Sequence, residues 1–205
     1  MYRIKDEIEN TIIIQKSEFI THIFRVDSID EINSILENTR KKYYDATHNC
    51  YAYILGDNQE IQKSSDDGEP QKTAGAPMLD ILKKNNMTNI LAIVTRYFGG
   101  ILLGAGGLVR AYSSSVSEAL KDAKLYTTMD VIDFMITTSY SGYNTILNIK
   151  EIIIENTSFT DSVIITGYIK KELFNDLSDL LYKNKIDPSA LNKIGESVKE
   201  IEFKK

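Results

Sequence analysis

Several kinds of chemistry are excluded by what the chain lacks. It has one cysteine, Cys50, so no intramolecular disulfide can form. Two histidines, His22 and His48, fall short of the clustered His, Asp and Glu set that a metallopeptidase needs. No run approaches the roughly 18 consecutive apolar residues of a membrane span. The opening residues, Met1-Tyr2-Arg3-Ile4-Lys5-Asp6-Glu7, mix charges and lack the apolar stretch of a secretory signal. Together these absences point to the reducing cytoplasm and to no membrane partner. A basic excess is missing too: 24 Lys and Arg face 29 Asp and Glu, for a net charge of −5. Neither residues 1–128 nor residues 129–205 are basic. Broad nucleic-acid binding rests on phosphate neutralisation, so no DNA partner is expected. Any RNA contact has to use a local patch such as Arg40-Lys41-Lys42-Tyr43-Tyr44, a run that equally suits a helix C-terminus, where cations complement the dipole.

What is present is ordinary for a globular protein: 42% apolar and 26% charged residues in a chain of 205, enough for one large or two small domains. Ile, Thr and Phe mark strands at 9–15 and 19–26. Asp27 or Ser28 caps a helix carrying Ile29, Ile32, Ile35 and Leu36 on one stripe and ending near Tyr44. A strand follows at 48–55. Residues 57–72 read as an exposed loop or short edge strand. Thr73 is placed to cap a helix with Pro77 in its first turn. A buried strand at 89–97 and a helix at 108–124 complete a first domain, residues 1–128. Residues 126–129 read as a connector. Beyond it, strand 131–140, helix 143–154, a hairpin turning at Asp161-Ser162, helix 173–182 and strand 194–203 give the order β-α-β-β-α-β of a ferredoxin-like domain, residues 129–205. The fold class is therefore α+β with two domains.

Five of the 11 glycines lie between Gly99 and Gly107. They sit between the apolar run Ile90–Val94 and a helix. Strand, glycine loop and helix together bring backbone N–H groups up to an anion, because glycine has no Cβ to block the approach and a helix start attracts negative charge. Arg96 and Arg110 flank the loop. Lys72 and Thr73 join Arg96, Gly99, Gly100, Gly104, Gly106, Gly107 and Arg110 as candidate anion-binding residues. Tight turns and close helix–strand packing are the competing use of the same glycines. The spacing matches neither G-x-x-x-x-G-K-[ST] nor G-x-G-x-x-G, so a nucleotide fold of those classes is not indicated.

Asp66, Asp67 and Glu69 surround Gly68 in the turn Asp66-Asp67-Gly68-Glu69-Pro70. Three carboxylates suit a hard cation such as Mg²⁺, although the spacing is not that of an EF-hand. The alternative is electrostatic: Asp66 or Glu69 pairs with Arg96 or Arg110 and fixes the glycine loop. His48 and Cys50 share a strand face at i and i+2. A cysteine nucleophile usually takes its base from elsewhere in a fold, however. Cys50, flanked by Tyr51 and Tyr53, fits a small buried hydrophobe.

Several segments carry a resemblance: Asp45-Ala46-Thr47-His48-Asn49-Cys50-Tyr51-Ala52-Tyr53, Asp66-Asp67-Gly68-Glu69-Pro70, Thr73-Ala74-Gly75, Thr95-Arg96-Tyr97-Phe98-Gly99-Gly100 and Leu103-Gly104-Ala105-Gly106-Gly107-Leu108-Val109-Arg110-Ala111-Tyr112. In order and spacing they closely resemble the YigZ/IMPACT family. The resemblance implies a first domain with the fold of the second domain of ribosomal protein S-five. It implies a second domain like the last domain of EF-G. Eukaryotic members regulate translation by competing for the activator of the kinase that phosphorylates initiation factor two. What carries over is association with the translation apparatus, with RNA or a ribosomal or translation-factor surface as partner and no cofactor required. One departure is visible: the family often has glycine where this chain has Lys72. Two further readings stay open. One is a Mg²⁺-dependent enzyme acting on a phosphorylated small molecule or nucleotide. The other is a protein-interaction module, which predicts an apolar patch near Tyr97, Phe98 and Tyr112.

Overall fold

The structure, a computed structural model, describes residues 1–203. Its first part runs β1 (Ile8–Ile14), β2 (Ser17–Arg25), α1 (Ile29–Lys42), β3 (His48–Leu55), β4 (Ile61–Ser65), α2 (Gly75–Lys84), β5 (Ile90–Tyr97) and α3 (Gly104–Lys121). The second runs β6 (Leu125–Thr138), α4 (Tyr140–Ile146), β7 (Ile152–Phe159), β8 (Val163–Lys170), α5 (Phe174–Lys183) and β9 (Leu191–Phe203). The α+β, two-sheet architecture expected from the sequence is present. The chain divides into two compact units, Met1–Thr127 with the last described residues, and Thr128–Ile201. Among the described residues no helix is long and apolar enough to cross a membrane.

In the first unit the sheet order is β1-β2-β5-β3-β4, with every neighbouring pair antiparallel. Side chains alternate across a strand, and both faces are covered. Ile90, Ala92 and Val94 of β5, with Cys50, Ala52 and Ile54 of β3, join the core under α2 and α3. Leu91 and Ile93, with Tyr51, Tyr53 and Leu55, pack with Ile32 and Leu36 of α1. A strand buried on both faces reads as an uninterrupted apolar run, which is why Ile90–Val94 has no polar interruption. α1 starts where the sequence places it: Ser28 accepts the Glu31 N–H at 3.2 Å while the Glu31 carboxylate accepts the Asp27 N–H at 2.8 Å.

In the second unit the sheet order β7-β8-β6-β9, with α4 and α5 between strands, is the ferredoxin-like arrangement. Two expectations need correcting there. Residues 152–154 open β7 instead of closing a helix; three consecutive isoleucines are stiff at χ1 and favour a strand. Residues 126–129 lie inside β6, not in a connector, and the Tyr126 N–H donates to the Arg3 carbonyl at 2.8 Å. We propose a domain boundary at 128/129. Residues 1–128 expressed alone should melt in one cooperative transition by circular dichroism; a broad, noncooperative melt would remove that boundary.

Candidate functional site

The register of the first sheet begins the site. His48 of β3 lies opposite Arg96 of β5, and Arg96 lies opposite Phe19 of β2. The three side chains therefore stand in a row on the face covered by α2 and α3, at the end of the sheet. The turn after β4 brings Glu69 to that row. The turn closes by a bond from the Glu69 N–H to the Asp66 carbonyl at 2.9 Å, with Gly68 at φ +88°. His48 donates from Nδ1 to the Asp67 carbonyl at 2.8 Å, which ties the ring to the same turn.

Each of the three acids has its own task. The Asp66 carboxylate accepts N–H groups from Lys72 at 2.8 Å, Ala74 at 3.0 Å and Gly75 at 2.9 Å. It caps α2 from outside the helix, the role the sequence assigned to Thr73. The Thr73 hydroxyl instead donates to the Pro70 carbonyl at 2.7 Å. Asp67 accepts the Asn49 N–H at 2.7 Å and lies 3.6 Å from the Arg40 guanidinium. Glu69, its side chain only 3% exposed, accepts from Arg96 Nη1 at 2.6 Å and from the Tyr112 hydroxyl at 2.8 Å. The second Glu69 oxygen is 3.8 Å from His48 Nε2. The carboxylates thus face different partners. Among the described residues, no three His, Cys, Asp or Glu side chains gather as a metal would require. Of the four acid–arginine pairings open in the sequence, the structure forms Glu69–Arg96.

That pairing changes the part assigned to Arg96. Its side chain is 6% exposed, Nη2 donates to Ser17 Oγ at 3.3 Å, and the guanidinium lies 5.4 and 5.5 Å from the ring centres of Phe19 and Phe98. Arg96 is a buried brace, its Nη groups committed within the protein. Cys50 donates its one thiol proton to the Asp66 carbonyl at 2.9 Å and its Sγ lies 3.4 Å from the Tyr112 hydroxyl, so it belongs to this network and forms no dyad with His48. Burial pushes the Cys50 thiol and the Tyr112 hydroxyl far above their usual ranges. Both stay protonated, and a protonated thiol is a poor nucleophile.

The glycines divide by role. A Cβ on Gly99 would sit 2.0 Å from the Lys16 carbonyl carbon, so this residue permits the loop to touch the β1–β2 turn. Gly104 has φ +68° in open space and starts α3 four residues earlier than the apolar pattern indicated. Gly106 and Gly107 lie in the first turn of that helix. No side chain caps the start of α3, and its first turn has no acidic residue. Arg110 is exposed and folds back over this turn: its Nη1 is 4.0 Å from where a Gly106 Cβ would lie. Between the acid turn and the start of α3 is a cleft of about 360 Å³, with Pro70, Leu103 and Leu108 beside His48, Glu69 and Arg96 in its walls. Of the candidate anion-binding residues Arg96 and Gly104 line it, while Lys72, Thr73, Gly99, Gly100, Gly106, Gly107 and Arg110 do not. On the connecting loop Phe98, Ile101 and Leu102 are 45%, 42% and 86% exposed. Of the three residues expected to mark an apolar patch, Tyr97, Phe98 and Tyr112, Tyr112 is fully buried and the Tyr97 hydroxyl donates to the Asp45 carboxylate at 2.8 Å, while Phe98 is exposed on the same loop as Ile101 and Leu102. Those two residues were missed because they read as part of the glycine loop; their signal was two large apolar side chains in a turn-rich segment.

Lys72 has φ +63°, a left-handed conformation that glycine adopts without a Cβ penalty. Lys72→Gly should therefore stabilise the first unit by about 0.5–1 kcal/mol, the left-handed penalty less glycine's entropy. Urea unfolding checks this; a loss of stability would mean that the lysine side chain makes a compensating contact.

Residues 15–120 match the family described as the Impact N-terminal domain. The chain is 52% identical over 119 residues to IMPACT family member YvyE of Bacillus subtilis (strain 168), and 44% identical over 110 residues to IMPACT family member YigZ of Escherichia coli (strain K12). These matches cover 58% and 53% of this chain and 55% and 54% of the relatives, so the aligned part spans about half the length of each curated relative. The crystal structure of a hypothetical protein is similar over 95% of this chain and 96% of its own, at 29% identity and a TM-score of 0.60.

Proposed function

The chain belongs to the Impact N-terminal domain family, and from that premise we propose that it is a noncatalytic, translation-associated regulatory protein. Its ligand face is the cleft between the Asp66–Pro70 turn and the start of α3. Its partner is RNA or a protein surface of the ribosome or of a translation factor. The observation that carries this reading is the contrast between a charge-paired interior and an open rim. Glu69 and Arg96 neutralise each other. Arg110, the first turn of α3 and the apolar side chains of the loop face outward. Such a surface is built to hold a partner. The protonated Cys50 and the carboxylates engaged with backbone amides favour binding over catalysis. The association with translation rests on the kinship. Sedimentation of cell lysate through a sucrose gradient tests it. The chain should travel with ribosomal particles or with a translation-factor complex, and RNase treatment separates an RNA tether from a protein one. A chain that stays at the top of the gradient at low salt would remove the association.

A further inference from the structure

We propose that the cleft at the start of α3 takes a protein segment carrying a carboxylate next to a large apolar side chain. This rests on the reading of the cleft as the ligand face and names the partner's chemistry. The apolar half of the match is in Pro70, Leu103 and Leu108 in the walls and in Phe98, Ile101 and Leu102 on the loop. A cleft of about 360 Å³ holds one large side chain with its neighbouring backbone, at the lower end of the usual pocket range.

The acidic half follows from charge. α3 is 18 residues long and starts with neither a capping side chain nor an acid in its first turn, so its N–H groups and dipole favour an anion. Arg110 adds a cation at that positive end, where cations are ordinarily unfavourable. Among the described residues Arg110 has no ion pair or side-chain hydrogen bond to offset this. A second donor stands in the cleft wall: Arg96 is 5% exposed, and its Nε has no hydrogen-bond partner among the described residues. Buried donors ordinarily find acceptors. Glu69 does not repel an incoming carboxylate, because Arg96 and Tyr112 already hold it.

A carboxylate fits better than a phosphate backbone. RNA binding needs a basic track with stacking aromatics. Here one aromatic, Phe98, is exposed on the loop, its neighbours are aliphatic, and the chain carries −5. Apolar surface beside an anion site suits a peptide.

The test uses the full chain and amide NMR. The probes are N-acetyl-Leu-Glu-Phe-amide, its Leu-Gln-Phe analogue and hexauridylate. The glutamate peptide should shift the amides of Gly104 to Gly107 and bind about fivefold more tightly than the glutamine analogue. Arg110→Ala, an exposed change whose melt verifies folding, should abolish that preference. Equal binding of the two peptides, or no shift with either, overturns the proposal. So does hexauridylate shifting these amides when the peptides do not, which would assign the face to RNA. If the peptide preference holds while the chain fails to travel with ribosomal particles, the association with translation falls and the cleft chemistry stands. If the gradient result holds and the peptides fail, the cleft chemistry falls alone.

Discussion

Glu69→Gln should destabilise the first unit by about 3 kcal/mol, the scale for removing one partner of a buried ion pair. Glutamine keeps the shape and an acceptor but removes the charge. The Arg96 guanidinium, with a side chain 6% exposed, would then have no counter-charge in contact. The cost comes from a desolvated cation, not from a lost contact alone. Replacing both partners, as in Glu69→Leu with Arg96→Met, should recover most of the loss, because a buried pair and a well-packed apolar pair are often close in energy. Urea unfolding of the single and double variants gives the coupling. A Glu69→Gln loss below about 1 kcal/mol, the surface salt-bridge range, would show that the pair is effectively solvated and does not brace the cleft.

Gly99→Ala should cost about 2–3 kcal/mol, near the top of the overpacking range. The added Cβ would meet backbone at 2.0 Å from the Lys16 carbonyl carbon and 2.4 Å from the Ser17 nitrogen, so no side-chain rotation relieves it. Gly106→Ala provides the contrast. It lies within α3, and the nearest group is the flexible end of Arg110 at 4.0 Å. Alanine there should gain about 0.5–1 kcal/mol from helix propensity. The same methyl would crowd the open first turn of α3 and weaken ligand binding. Opposite stability changes from one substitution type would separate the packing glycine from the exposed helical one. Equal losses at both positions would make the whole loop structural.

Much of this was legible in the sequence because periodicity reports burial directly. The apolar run Ile90–Val94 announced a buried strand, and Asp27-Ser28 ahead of the Ile29–Leu36 stripe announced the start of α1. The glycine loop and the acidic turn also stood out by composition. Their division of labour did not. Asp66 caps α2 through amides six to nine residues onward, and nothing local distinguishes that from an exposed turn acid. Glu69 and Arg96 meet across 27 residues because the register of β3 and β5 places His48 and Arg96 side by side. The sequence offers two acids and two arginines for that role, and only the sheet selects between them. The start of α3 was hidden because glycine has poor helix propensity. The extension of β6 through 126–129 depends on partners elsewhere in the chain, as strands generally do.

We propose that Arg110 and the open start of α3 contact a ligand while Arg96 and Glu69 hold the structure. Arg110→Ala, measured in parallel for thermal stability and for binding to ribosomal particles, tests it most directly. Losing one charge-assisted contact is worth about 1.5–3 kcal/mol, so affinity should fall roughly 10- to 150-fold with the melting temperature essentially unchanged. An Arg110→Ala protein that melts earlier while its folded fraction binds normally would contradict the account and leave Arg110 as another brace.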